Sequence, residues 1–193
     1  MKITFLGHAT LEIQINEFNL LVDPFISGNP MASEINLDDL KPDFILITHA
    51  HQDHTLDVEK LAKDNNSLII SNFEIVSHFQ NIGLNGHPMN HGGKWNFDFG
   101  ELKYVNAIHT STFPDGSNGG QPGGFIITSN NKSIYIAGDT ALTYDMKLIP
   151  INYNLDLAIL PIGDNFTMGY KDAIIASDFI ECSRILGLSL IHI

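Results

Sequence analysis

Cysteine is nearly absent. Cys182 is the single one among 193 residues, so no disulfide can form within the chain, and a reducing, cytoplasmic compartment is expected. Basic residues are scarce as well: 10 Lys and Arg stand against 22 Asp and Glu, a formal net charge of −12. That balance argues against nucleic acid as a partner, because phosphate binding is driven by basic patches. No apolar run approaches the roughly 18–20 residues that cross a bilayer, so no membrane association is expected. The start, Met1-Lys2-Ile3-Thr4-Phe5-Leu6, lacks the long apolar core and cleavage site of a secretory signal. No Lys-Ser/Thr follows Gly119-Gly120 or Gly123-Gly124. That excludes a nucleotide-type phosphate loop and leaves close backbone approach as the expected use of these glycines. What remains is an ordinary folded composition, 44% hydrophobic and 17% charged, on a length that fits one domain, or one domain of two similar halves.

The apolar pattern passes twice from antiparallel strands into β-loop-α units. Lys2–Leu6, Leu11–Ile15 and Phe18–Val22 read as short strands with tight turns between them. The third ends in Asp23-Pro24, and the proline biases Asp23 toward an extended backbone. Ile26–Lys41 is a surface loop. Phe44–Ile47 is a buried strand, and helices at Val58–Lys63 and Glu74–Asn81 flank a strand at Leu68–Ser71. Strands at Lys94–Phe97 and Leu102–Ile108 precede a glycine-rich loop, Phe113–Gly124, which divides halves of roughly 1–115 and 116–187. Asn130-Asn131 turns between strands Phe125–Thr128 and Ser133–Ala137. A helix at Ala141–Leu148, a strand at Leu155–Leu160 and a long helix at Lys171–Leu186 complete the pattern. Thr167 is placed to cap that last helix, and Cys182 falls inside it as a core residue.

One stretch has no packing explanation. Directly after Phe44–Ile47 comes Thr48-His49-Ala50-His51-Gln52-Asp53-His54, with four potential metal ligands in six residues. In extended chain His49 and His51 share a side, and a turn after Ala50 could bring Asp53 and His54 to a neighbouring point. Three imidazoles that close would repel if protonated, and a coordinated metal removes the objection. His109 and Asp139 also follow apolar strands directly, and sites in open α/β sheets favour the carboxyl ends of strands. Taken singly, either could be an ordinary hydrogen-bonded residue. Asp23 suits a hydrogen bond to a ligand imidazole as well as a turn. His8, after the first strand, could line the mouth of a site, and Phe166 could form a wall for a substrate.

His49-Ala50-His51-Gln52-Asp53-His54, read with Leu21-Val22-Asp23-Pro24, Ile108-His109 and Ile136-Ala137-Gly138-Asp139-Thr140, resembles the motif series of the metallo-β-lactamase superfamily. Leu6-Gly7-His8-Ala9, Met89-Asn90-His91-Gly92-Gly93 and Pro161–Gly169 narrow the resemblance to a small bacterial "metal-dependent hydrolase" branch, similar to lactone-opening enzymes. The resemblance implies an αββα four-layer sandwich (α+β). It implies two divalent metal ions, zinc first with manganese or iron as alternatives. His49, His51 and His109 would hold one; Asp53, His54 and Asp139 would hold the other. The implied activity is hydrolysis of a small ester, lactone or phosphodiester by a metal-bridging hydroxide that Asp53 orients, with a small-molecule substrate and homo-oligomerisation as the partner expectations.

The family completes its second metal set with a further His on a strand beyond the last helix. Here the chain ends Leu188-Ser189-Leu190-Ile191-His192-Ile193, and the setting of His192 does not match. That hexapeptide is what one frame of a common sequencing-library adapter encodes, so 188–193 are expected to be a non-native tail on a chain missing its last strand or strands. The competing functions are a non-catalytic metal-binding protein and a nucleic-acid-processing hydrolase of the same fold. Redox relatives carry a Glu in the second His position of the cluster, where this chain has His51.

Overall fold

Between Ile15 and Phe18 the chain reverses in two residues. Asn16 takes the left-handed conformation (φ 54°) that a hairpin of this twist demands and that Asn tolerates. Asn130 and Asn131 do the same between Ser129 and Lys132, both at positive φ. These hairpins seed two sheets. In the computed structural model, which describes residues 1–189, the chain divides into two compact units. One comprises Met1–Asn90 with Ser111–Gln121, the other His91–Thr110 with the residues from Pro122 onward. The divisions therefore fall at 90/91, 110/111 and 121/122, not at the expected 115/116.

The first unit holds strands β1 (Lys2–Gly7), β2 (Thr10–Ile15), β3 (Phe18–Val22), β4 (Phe44–Leu46), β5 (Leu68–Asn72) and β6 (Gly86–Met89), in that spatial order. β1 to β3 pair antiparallel; β3 to β6 pair parallel. β2 shows the period of two: Leu11, Ile13 and Ile15 are buried while Gln14 is exposed. Helices α1 (Gln52–Thr55), α2 (Val58–Asn65) and α3 (Phe73–Asn81) supply the crossovers. Their buried residues, among them Val58, Leu61, Ile75 and Phe79, join Leu21, Ile45 and Ile69 in one core. β6 contains Gly86 and Pro88. It is an edge strand, the one place where Pro88 costs no ladder bond.

The second unit holds β7 (Lys94–Phe97), β8 (Gly100–Asn106), β9 (Gly123–Ser129), β10 (Lys132–Ile136), β11 (Leu157–Pro161) and β12 (Ile185–Leu188). β7 to β10 are antiparallel; β10 to β12 are parallel. Its core gathers Ile126, Tyr135, Ala158, Leu160, Ala176 and Cys182. The expected helix at 141–148 is a 3-10 turn, Tyr144–Leu148. The expected helix Lys171–Leu186 is two elements: α4 (Tyr170–Phe179) ends at Ile180, Glu181 turns at φ 52°, and the chain enters the sheet as β12. An apolar run at the end of a helical pattern cannot by itself be told from a buried strand. Thr167 does not cap α4. Gly169 does, without a side-chain bond, while the Thr167 hydroxyl donates to the Met168 carbonyl at 3.2 Å. Among the described residues no helix is long and apolar enough to cross a membrane.

Candidate metal centre

Parallel pairing sends the carboxyl ends of β3, β4 and β5 to one edge of the first sheet. Asp23 leaves β3 there, Thr48–His54 leave β4, and Asn72 closes β5. Asp23 is 1% exposed and sits at φ 46°, left-handed, against the extended conformation expected before proline. Its carboxylate explains the strain. It accepts from the Thr48 amide at 2.8 Å, the Thr48 hydroxyl at 2.7 Å and His54 Nδ1 at 2.9 Å. A carboxylate can only accept, so His54 carries its proton on Nδ1 and, in the neutral ring, presents a lone pair at Nε2. The Thr48 hydroxyl spends its proton on Asp23, and its oxygen therefore accepts from His49 Nδ1 at 3.0 Å. One buried acid thus sets the tautomer of two imidazoles and turns both Nε2 atoms away from it, the arrangement by which outer carboxylates orient metal-binding histidines. Thr48 had no part in the sequence reading; its position between the strand and the first His is the signal that could have found it.

The donors converge. His49 Nε2 lies 3.0 Å from His51 Nδ1, and the rings of His49 and His54 are 4.0 Å apart. Two imidazole lone pairs at that distance repel unless a proton or a cation lies between them. His8 Nε2 donates to Asp53 Oδ2 at 2.9 Å, and His54 Nε2 is 3.9 Å from the same oxygen. Donor atoms of His8, Asp53 and His54 all fall within 4.8 Å of one another. His8 thus sits beside Asp53 and His54, its Nε2 bonded to the Asp53 carboxylate. Burial alone would raise the Asp53 carboxyl, but the hydrogen bond from His8 and the nearby imidazoles of His54 and His8 outweigh it and hold it well below the usual carboxylate range. The mix of imidazole and carboxylate donors fits a borderline divalent cation such as zinc.

In the second unit β8 and β10 run the same way, each antiparallel to β9, so His109 and Asp139 leave the sheet at one edge. His109 follows β8 after a two-residue extension, not directly. Thr140 ties the two segments: its hydroxyl accepts from the Ile108 amide at 2.9 Å, while Ala141 N–H donates to the Ile108 carbonyl at 3.0 Å. His109 Nε2 and Asp139 Oδ2 are 4.0 Å apart, and Asp139 is 3% exposed. The Ser189 hydroxyl donates to Asp139. Phe166 is 59% exposed. A cavity of ≈ 500 Å³ opens elsewhere in this unit, among Val105, Ile126, Tyr135 and Met146, away from His109 and Asp139. His192 lies outside the described residues.

A second buried acid, Asp57, was also not anticipated. It accepts from the amides of Ile26 and Ser27 at 2.6 and 3.0 Å and from the Ser27 hydroxyl. It thereby fixes the start of the 26–41 loop instead of capping α2. His78 is half-buried and stacks on Phe113 with ring centroids 3.9 Å apart.

A family profile described as "Beta-lactamase superfamily domain" matches residues 2–187. A Flavobacterium johnsoniae protein described as a UPF0173 metal-dependent hydrolase is 65% identical over 187 residues, 97% of this chain and 83% of its own. A Christiangramia forsetii protein of the same description is 63% identical over 188 residues, again 97% and 83%. The solved structure of Igni18, described as a novel metallo hydrolase from Ignicoccus hospitalis, superposes with a TM-score of 0.87 at 29% identity, covering 97% of this chain and 81% of that one. The diiron β-hydroxylase CmlA of Streptomyces venezuelae shares the fold at 16% identity, TM-score 0.79, over 97% of this chain and 44% of its own.

Proposed function

Because the chain belongs to the beta-lactamase superfamily and is a metal-dependent hydrolase, we propose that it holds two divalent metal ions, zinc by preference, and hydrolyses a small ester, lactone or phosphodiester. His49, His51 and His109 would serve one ion; Asp53, His54 and Asp139 would serve the other. The observation that carries this reading is the buried Asp23–Thr48 network, which aims His49 Nε2 and His54 Nε2 away from the strand ends. Bound divalent ions supply Lewis acidity and bring the pKa of water toward about 7. The chain's own residues do the rest. Asp53, held ionised by His8, accepts a hydrogen bond from the attacking water and sets its direction. His8 keeps that carboxylate from turning away. The acidic surface favours a neutral or weakly charged substrate over a polyanion, which supports the small-molecule reading against nucleic acid. We place it in the cytoplasm, on its single, buried cysteine.

Metal analysis tests this. Purified protein should carry about two ions per chain, and a chelator should abolish hydrolysis of a lactone, ester and phosphodiester panel, with zinc restoring it. Protein that holds no metal and loses nothing in chelator ends the reading. One firmly held ion and no turnover would favour the non-catalytic alternative.

A further inference from the structure

Ser111–Gln121 belongs to the first unit, although the residues on both sides of it, His91–Thr110 and Pro122 onward, belong to the second. One of its contacts is with Ala50, which stands between His49 and His51. The Ala50 amide donates to Ser111 Oγ at 3.1 Å. Ser111 Oγ in turn donates to the Gly119 carbonyl at 2.9 Å, and the Gly119 amide returns to the Ser111 carbonyl at 3.0 Å. The Ser111 hydroxyl proton is thus spent on Gly119, which leaves its lone pair facing Ala50 N–H. Asn72, at the end of β5, fastens the far side. Its Nδ2 donates to the carbonyls of Gly119 and Gln121 at 2.7 and 3.0 Å, while its Oδ1 accepts from Ile75 N and caps α3. Gly119 is close enough that a Cβ there would lie 2.2 Å from the Ala50 Cβ and 2.7 Å from Ser111 Oγ. No side chain fits.

We propose that this segment is a positioning strap for the metal centre, with Ser111 as its anchor. The proposal rests on the metal reading above and goes beyond it. The Ala50 amide plane joins the His49 carbonyl to the Ala50 nitrogen, so pinning it restricts the backbone torsions that direct both imidazoles. The network from Asp23 fixes which nitrogen of His49 faces outward; the strap fixes where His49 and His51 stand relative to each other. From the other side Thr55 Oγ1 donates to the His51 carbonyl at 3.0 Å, so the turn is tied both before and after His51.

Zinc affinity, measured by competition with a chromophoric chelator, and the visible spectrum of the cobalt-substituted protein test the strap. Ser111→Ala should weaken the tighter zinc about 10-fold, in the range seen when an outer partner of a ligand is lost, and should shift the cobalt bands. Ser111→Cys, close in volume and a weaker hydrogen-bonding group, should fall between the two. Ser67→Ala removes a comparable buried bond, to the Pro42 carbonyl. It should lower the melting temperature without moving affinity or spectrum. Wild-type affinity and an unshifted spectrum in both Ser111 variants overturn the strap. Wild-type protein that takes up no zinc instead overturns the metal reading beneath it, a separate and recognisable result.

Discussion

Asp53→Asn should lower hydrolysis about 10³-fold, within the 10²–10⁴ typical of a residue that orients or moves a proton at the reacting centre. The fold should survive, because Asp53 is on the short helix α1, a quarter of its side chain is exposed, and its bond to His8 can be kept by the amide oxygen. The amide keeps an oxygen for His8 Nε2 but no longer carries charge. What is lost is therefore the anionic acceptor and ligand, with the backbone and the histidines left in place. The expected pattern is a collapse of kcat with metal content falling by no more than one ion per chain. Steady-state kinetics on metal-loaded protein, with metal counted by atomic emission on the same sample, checks it. Turnover within a factor of about 3 of wild type would remove Asp53 from the chemistry.

Asp23→Ala should be the most destabilising single change at the site, costing about 3–5 kcal/mol, the range for removing one partner of a buried, hydrogen-bonded charge. Three donors lose their acceptor at once: the Thr48 amide, the Thr48 hydroxyl and His54 Nδ1. None of them reaches water, since Thr48 and His54 are fully buried. For a chain of this length the loss corresponds to a fall in melting temperature of roughly 6–20 °C. Urea denaturation of apo-protein isolates the effect from metal binding. Asp23→Asn should cost less, because its oxygen can still accept from Thr48, but its NH2 faces His54 Nδ1 as a second donor and should displace that ring. A loss under about 1 kcal/mol in Asp23→Ala would mean that the network contributes little.

The two effects have different origins in the sequence. The cluster from His49 to His54 was legible because its argument is local: four ligand-type residues in six positions, after an apolar strand, have no use in packing. Asp23 was legible as a strand-end acid, and its carboxylate accepts from Thr48 and from His54 Nδ1. Its backbone was not legible, because the preference imposed by Pro24 is weaker than three buried hydrogen bonds. Thr48 was legible only through its place before the first His, and Asp57, Ser111 and Asn72 were not legible at all. Each acts on a partner distant in sequence, 61 residues away in the case of Ser111 and Ala50. A lone hydroxyl or amide carries no mark of what it will touch.

By itself the sequence determined the family, the chemistry of the donor set and most of the strands. Those follow from short-range patterns: alternation, turn residues and ligand spacing. Tertiary structure decided the rest. Ile185–Leu188 became a strand rather than the end of a helix because an edge of β11 was there to pair with it. Pro88 was admitted to a strand because that strand has a neighbour on one side only. The histidines acquired their tautomers because Asp23, 25 and 31 residues before Thr48 and His54, leaves a parallel strand at the same edge. Parallel pairing joins segments that sequence separates by a whole crossover. That physical fact put the orientation of the histidines beyond any local reading while leaving their clustering in plain view.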